Sequence, residues 1–95
     1  MKTEAFSRVI SPYLDQDWPD EFQDSSEALS AAVSSEPEEM FGDVCREIDD
    51  LLASDLTEED LEKIVRDQAG CYFAPQSEGH TYRSWLKEAR AVFAC

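Results

Sequence analysis

Four carboxylates stand among four large apolar side chains in the stretch Tyr13-Leu14-Asp15-Gln16-Asp17-Trp18-Pro19-Asp20-Glu21-Phe22. Acids at this density can hold a cation, take part in catalysis or meet a basic partner. Calcium fits the spacing poorly. An EF-hand loop requires glycine at its sixth position and glutamate at its twelfth. Counted from Asp15, those positions are Asp20 and Ser26, and Pro19 intrudes. Zinc lacks ligands, because His80 is the one histidine and Cys45, Cys71 and Cys95 are far apart. No serine sits in a G-x-S-x-G or S-x-x-K setting, and no glycine-rich phosphate loop occurs. His80 precedes the last predicted helix and is expected to face solvent or cap it. The chain is therefore expected to be no enzyme and to use no metal or cofactor. Recognition by charge remains.

The stretch is expected to form a corner with rings inward and acids outward. Trp18 and Phe22 are large enough to anchor a small core. Unpaired carboxylates cannot follow them inside without heavy cost. Pro19 stops a helix arriving from the N-terminal side.

Charge points the same way. The net charge is −14 over 95 residues, and it is uneven. Residues 1–62 hold nineteen acids and three bases, whereas residues 63–95 hold three acids and five bases. Such a field repels nucleic acid and anionic membranes and attracts basic partners. With 42% hydrophobic residues the chain is too apolar for disorder. One domain over residues 1–95 is expected. No run reaches the ~18 apolar residues of a membrane span. The N-terminus does not read as a signal peptide. Three scattered cysteines fit reduced thiols in a cytoplasmic protein, not a disulfide framework.

Helical periodicity organises the rest. Phe6, Val9, Ile10, Tyr13 and Leu14 make one stripe, which predicts a helix over 4–15 that breaks or kinks at Ser11-Pro12. Asp24 or Ser25 caps a second helix, whose narrow face is Ala28, Leu29, Ala32 and Val33. Met40, Phe41, Val44, Ile48, Leu51 and Leu52 predict a third helix over about 37–54. Thr57 and Asp60 form a capping box for a fourth, and Gly70 ends it. After a loop from which Cys71, Tyr72 and Phe73 are expected to enter the core, Thr81 caps the last helix. That helix turns Tyr82, Trp85, Leu86, Ala89, Val92 and Phe93 inward, with Arg83, Lys87 and Arg90 on its other side. The expected fold is all-α, a compact bundle of about five short helices around one core.

Several of these pieces resemble one family of contact-dependent growth inhibition (CDI) immunity proteins, the CdiI type. Tyr13-Leu14-Asp15-Gln16-Asp17-Trp18 is similar to that family's Y-F-H-Q-D-W signature. Leu51-Leu52-Ala53-Ser54-Asp55-Leu56-Thr57-Glu58-Glu59-Asp60-Leu61 resembles its L-L-A-S-G-L-S-E-E-E-L turn into a helix. Gly70-Cys71-Tyr72 and Tyr82-Arg83-Ser84-Trp85-Leu86 resemble its G-C-D-Y and Y-R-E-W-L ending. The order holds over roughly residues 8–90. Where the family has an aromatic-histidine pair, this chain has Leu14-Asp15, so any role of that histidine is absent here.

The resemblance implies a cytoplasmic protein that binds the C-terminal toxin domain of a CDI effector one-to-one and neutralises it. It also implies that the toxin is a nuclease, with tRNA a common target. The charge agrees, because a nuclease presents a basic groove to phosphate. The acids expected to meet the toxin are Asp15, Asp17, Asp20, Glu21 and Asp24. Trp18, Phe22, Tyr82 and Trp85 are expected to be core anchors. No nucleic acid or membrane is expected as a partner, and the free protein is expected to be a monomer or weak dimer. The alternative is an acidic helical adaptor for a basic host protein.

Overall fold

The computed structural model describes residues 2–94. Six α-helices follow in order: α1 (Glu4–Val9), α2 (Trp18–Glu21), α3 (Ser25–Ser35), α4 (Phe41–Ala53), α5 (Glu58–Glu62) and α6 (Tyr82–Phe93). Tight 3-10 turns cover Ser11–Tyr13, Glu38–Met40 and Pro75–Glu78, and a π segment, Lys63–Gln68, continues α5. No strand occurs among the described residues. The all-α expectation holds. The expected five helices become six, because the acidic corner contains a one-turn helix of its own.

The core gathers on α4, which lies against both α1 and α6. Its apolar stripe buries Val44, Ile48 and Leu51 completely. Phe6 and Val9 meet it from α1, and Trp85, Leu86 and Ala89 from α6. Each of the larger side chains contributes about 2 kcal/mol by leaving water. Ala28 and Ala32 on α3 are fully buried, as their small size requires for close approach. Rings set the spacing between elements. Phe6 stands edge-on to Trp85 at 6.5 Å, Phe73 lies 5.1 Å from Trp85, and Phe41 meets Phe93 at 5.0 Å.

The local start and stop signals act as expected. Pro12 ends α1 and opens the 3-10 turn. The Asp24 carboxylate accepts from the Glu27 amide at 2.9 Å. Thr57 with Asp60, and Thr81 with Ser84, form reciprocal capping boxes. Gly70 takes φ +80°, which favours glycine, and turns the chain out of the helix.

Other ties cross the chain and have no local signature. Three helix N-termini receive carboxylates from distant elements. Glu47 of α4, only 4% exposed, accepts from the Ala5 and Phe6 amides of α1 at 3.0 and 2.9 Å. Glu58 accepts from the Tyr82 and Arg83 amides of α6 at 2.6 and 3.1 Å. Glu78 accepts from the Ser25 amide and hydroxyl at the start of α3, at 2.8 and 2.7 Å. Ser25 Oγ in turn accepts from Trp85 Nε1 at 3.2 Å. Each carboxylate satisfies amides that an isolated helix leaves unbonded, and its charge suits the helix dipole. Arg83 does the converse. It was expected on the outer side of the last helix, but its guanidinium donates to the Leu52 carbonyl in the last turn of α4 and to the Leu56 carbonyl beyond it, at 2.8 and 2.9 Å.

The π segment explains how α5 reaches α1. The Ala69 amide donates to the Ile64 carbonyl, five residues back, at 2.9 Å. The Ala69 carbonyl then accepts from both Ser7 Oγ (2.9 Å) and Ser11 Oγ (2.7 Å). Two further expectations are corrected here. Cys71 and Phe73 enter the core, but Tyr72 stays 48% exposed. Cys71 is a free, buried cysteine, whereas Cys45 is disulfide-bonded, so reduced thiols do not describe Cys45. Cys95 lies outside the described residues.

Replacing Glu47 by alanine leaves two first-turn amides unbonded in a buried site. The expected cost is about 3 kcal/mol, from lost charge-assisted bonds, and the melting temperature should fall by more than about 10 °C. Glu38→Ala, at an exposed position, should change stability by less than about 0.5 kcal/mol. Denaturant melts of the two variants check this, and equal small losses would contradict the role of Glu47. Burial also pushes the Cys71 thiol up to about 12, with a hydrogen bond to the Phe73 backbone opposing it. The thiolate is the reactive form. Cys71 should therefore resist a disulfide-exchange reagent at pH 8 in the native protein and react once denaturant unfolds it. Stoichiometric native labelling within minutes would contradict this.

Candidate interaction surface

The acidic corner is built as a pair of small turns on aromatic supports. The Asp15 carboxylate accepts from the Asp17 amide at 3.0 Å, which folds Asp15-Gln16-Asp17 back on itself. Pro19 then sits in the first turn of α2, where its missing amide donor costs nothing. It was expected to stop an arriving helix, but the preceding 3-10 turn already ends at Tyr13, and Pro19 opens a helix instead. Asp20 and Glu21 occupy that same first turn. Asp15, Asp17, Asp20, Glu21 and Asp24 are all exposed.

The rings beneath are half-buried at the corner and fully buried further in. Trp18 meets Phe73 edge-on at 5.4 Å, and Phe22 lies 6.3 Å from Tyr13. Trp18 and Phe22 pack on the core from its margin, whereas Tyr82 and Trp85 lie inside it. The Tyr13 hydroxyl donates to the Glu36 carboxylate at 2.9 Å, joining the corner to the end of α3. Burial first, and then the Glu36 carboxylate, push the Tyr13 phenol above its ordinary range. Tyr13 is thus held neutral, as a donor.

Geometry divides the other acids. The acids of the cluster at the start of α5 have partners inside the protein. Glu58 holds α6, and Asp60 completes a capping box. Glu59 pairs with Lys63 at 3.6 Å and Glu62 with Arg66 at 3.9 Å. Asp43 pairs with Arg46 at 3.0 Å, and Asp49 with Arg90 at 2.6 Å. Asp24 has its capping role. Asp15, Asp17, Asp20 and Glu21 have no salt bridge to a cation among the described residues. They are the corner acids whose charge the fold leaves uncompensated.

Tyr72 belongs to this surface and was expected inside. Its amide donates to the Leu14 carbonyl at 2.8 Å, one residue before Asp15. Burial alternates along the stretch, with Cys71, Phe73 and Pro75 in and Tyr72 and Ala74 out. That two-residue period of an extended chain was the available sequence signal.

Elsewhere the chemistry is structural. His80 Nδ1 lies 3.0 Å from Ser84 Oγ, and its Nε2 lies 3.1 Å from Glu88. The ring bridges the first turns of α6. A cleft of about 250 Å³ between α1 and α4 is lined by Glu47, whose two oxygens already bond α1. Among the described residues no group of three or more His, Cys, Asp or Glu is placed to hold a metal. No helix there is long and apolar enough to cross a membrane.

Comparison with known proteins gives two positive findings. Among solved structures, the chain resembles one from "Crystal structure of CdiA-CT/CdiI complex from Y. kristensenii 33638". The TM-score is 0.86 at 27% identity, and the match covers 98% of this chain and 99% of that one. Comparison with curated proteins gives no match. The family model of the CdiI immunity protein matches residues 2–93. The extent of that match, on an all-α fold shared with a chain of a CdiA-CT/CdiI complex, shows that this protein belongs to the CdiI immunity protein family.

Proposed function

We propose that this protein binds the C-terminal toxin domain of a cognate CDI effector one-to-one in the cytoplasm and holds it inactive. Members of the family are inhibitors, not enzymes. The observation that carries the reading is the likeness, over almost the whole chain, to a chain of a CdiA-CT/CdiI complex. Charge extends it. Asp15, Asp17, Asp20 and Glu21 carry charge that no cation among the described residues pairs with, on a surface that also offers aromatic rings. A nuclease acting on RNA, with tRNA the proposed substrate class, presents the complementary basic groove. Such a groove draws in an acidic surface over several ångströms, raising the association rate toward the order of 10⁸ M⁻¹s⁻¹ at low salt. Asp24 contributes less, because its carboxylate is engaged at the start of α3. One domain over residues 1–95 suffices for this role.

The test uses the toxin domain encoded immediately upstream of this chain's gene. Mixed one-to-one with this protein, it should lose nuclease activity, and cells expressing both should grow. Nuclease activity that persists at saturating immunity protein would sink the function. The double variant Asp17→Lys with Asp20→Lys should keep the fold, because both side chains are exposed. Its association rate at low salt should fall by about tenfold or more, and the difference should shrink as salt rises. Stopped-flow association kinetics check this. Wild-type rates in the double variant would remove the corner from the interface.

A further inference from the structure

Tyr72 is the one exposed large apolar side chain among the described residues. The backbone that carries it is fixed on both sides. Cys71 and Phe73 are buried, the Cys71 amide donates to the Val65 carbonyl at 3.0 Å, and the Tyr72 amide donates to the Leu14 carbonyl. Phe73 is held between Trp18 and Trp85 at 5.4 and 5.1 Å. The ring thus projects from a rigid base, so little backbone freedom is lost when something binds it. The Leu14 bond ties its backbone to the residue before Asp15. An exposed ring on a rigid base, tied through its backbone to the start of a run of uncompensated carboxylates, suits a cation. An arginine guanidinium stacks flat on an aromatic face and donates to a neighbouring carboxylate at once.

We propose that Tyr72 is the aromatic anchor of the toxin-binding surface, receiving an arginine side chain of the toxin against its ring while Asp15 and Asp17 accept from the guanidinium. This rests on the toxin-binding function proposed above and adds the group that holds the complex once formed. Long-range steering by the acids governs association, whereas a stacked ring contact governs dissociation.

The experiment measures dissociation of the complex with the same upstream-encoded toxin domain, at low and at high salt. The variants are Tyr72→Phe, Tyr72→Leu, Tyr72→Ala and Tyr72→Lys, each shown by circular dichroism to melt as wild type does. Tyr72→Phe should dissociate within about threefold of wild type. Tyr72→Ala and Tyr72→Leu should dissociate at least about tenfold faster, and the loss should persist at high salt. Tyr72→Lys should be worse than Tyr72→Ala, because it places like charge against the arginine. Wild-type dissociation in Tyr72→Ala overturns the anchor and leaves the function standing. Wild-type dissociation in Tyr72→Leu shows an apolar occupant and overturns the arginine. A wild-type protein that does not bind this toxin overturns both function and anchor.

Discussion

The rest of the structure depends on a carboxylate inside it. Glu47 lies among apolar side chains of α4 and reaches the first-turn amides of α1. A six-residue helix is too short to hold itself together in water, so α1 exists because α4 completes it. The arrangement works in both directions. Without the amides, Glu47 would be a buried charge with no partner, and such a group is strongly destabilising. With them, Phe6 and Val9 are fixed over the α4 stripe, and Ser7 and Ser11 meet the Ala69 carbonyl. The 3-10 turn that follows α1 then delivers Leu14, whose carbonyl positions Tyr72. A line of contacts therefore runs from one interior carboxylate to the outer surface.

The same device accounts for how so acidic a chain folds. Twenty-two acids against eight Lys and Arg residues repel one another. Three acids relieve that strain by sitting at helix N-termini, where partial positive charge accumulates: Glu47 on α1, Glu78 on α3 and Glu58 on α6. Asp24 and Asp60 cap helices, and Asp43, Asp49, Glu59, Glu62, Asp67 and Glu88 form exposed ion pairs, each of which adds little stability. Of the acids with neither role among the described residues, Asp15, Asp17, Asp20 and Glu21 stand together in one short stretch. The repulsion kept there does not serve the fold, which is the physical reason for assigning it to a partner.

Rules that act within four residues made much of this legible. The stripe Val44, Ile48, Leu51 placed α4, and the caps at Asp24, Thr57 and Thr81 placed three helix starts within a residue. Pro12 marked the end of α1. What escaped depends on distance in the chain. Nothing near Glu47 announces Ala5, and nothing near Arg83 announces the Leu52 carbonyl. The π turn escaped because widening one turn leaves the apolar spacing of Leu61, Ile64 and Val65 almost helical. Tyr72 was misplaced because a hydrophobic triplet was read as a block when its alternation was the informative feature. The five corner acids were read as one group. Their division into a cap at Asp24 and uncompensated charge at the others needed coordinates.

The central claim is a division of labour: interior and helix-end carboxylates build the fold, and the corner meets the toxin. Hydrogen–deuterium exchange of the protein, free and bound to its upstream-encoded toxin domain, addresses it most directly. Binding at the corner predicts slowed exchange over residues 13–24 and at Tyr72, with the amides of α4 unchanged. Slowed exchange confined to α4 and α6, while residues 13–24 exchange as in the free protein, would contradict the account.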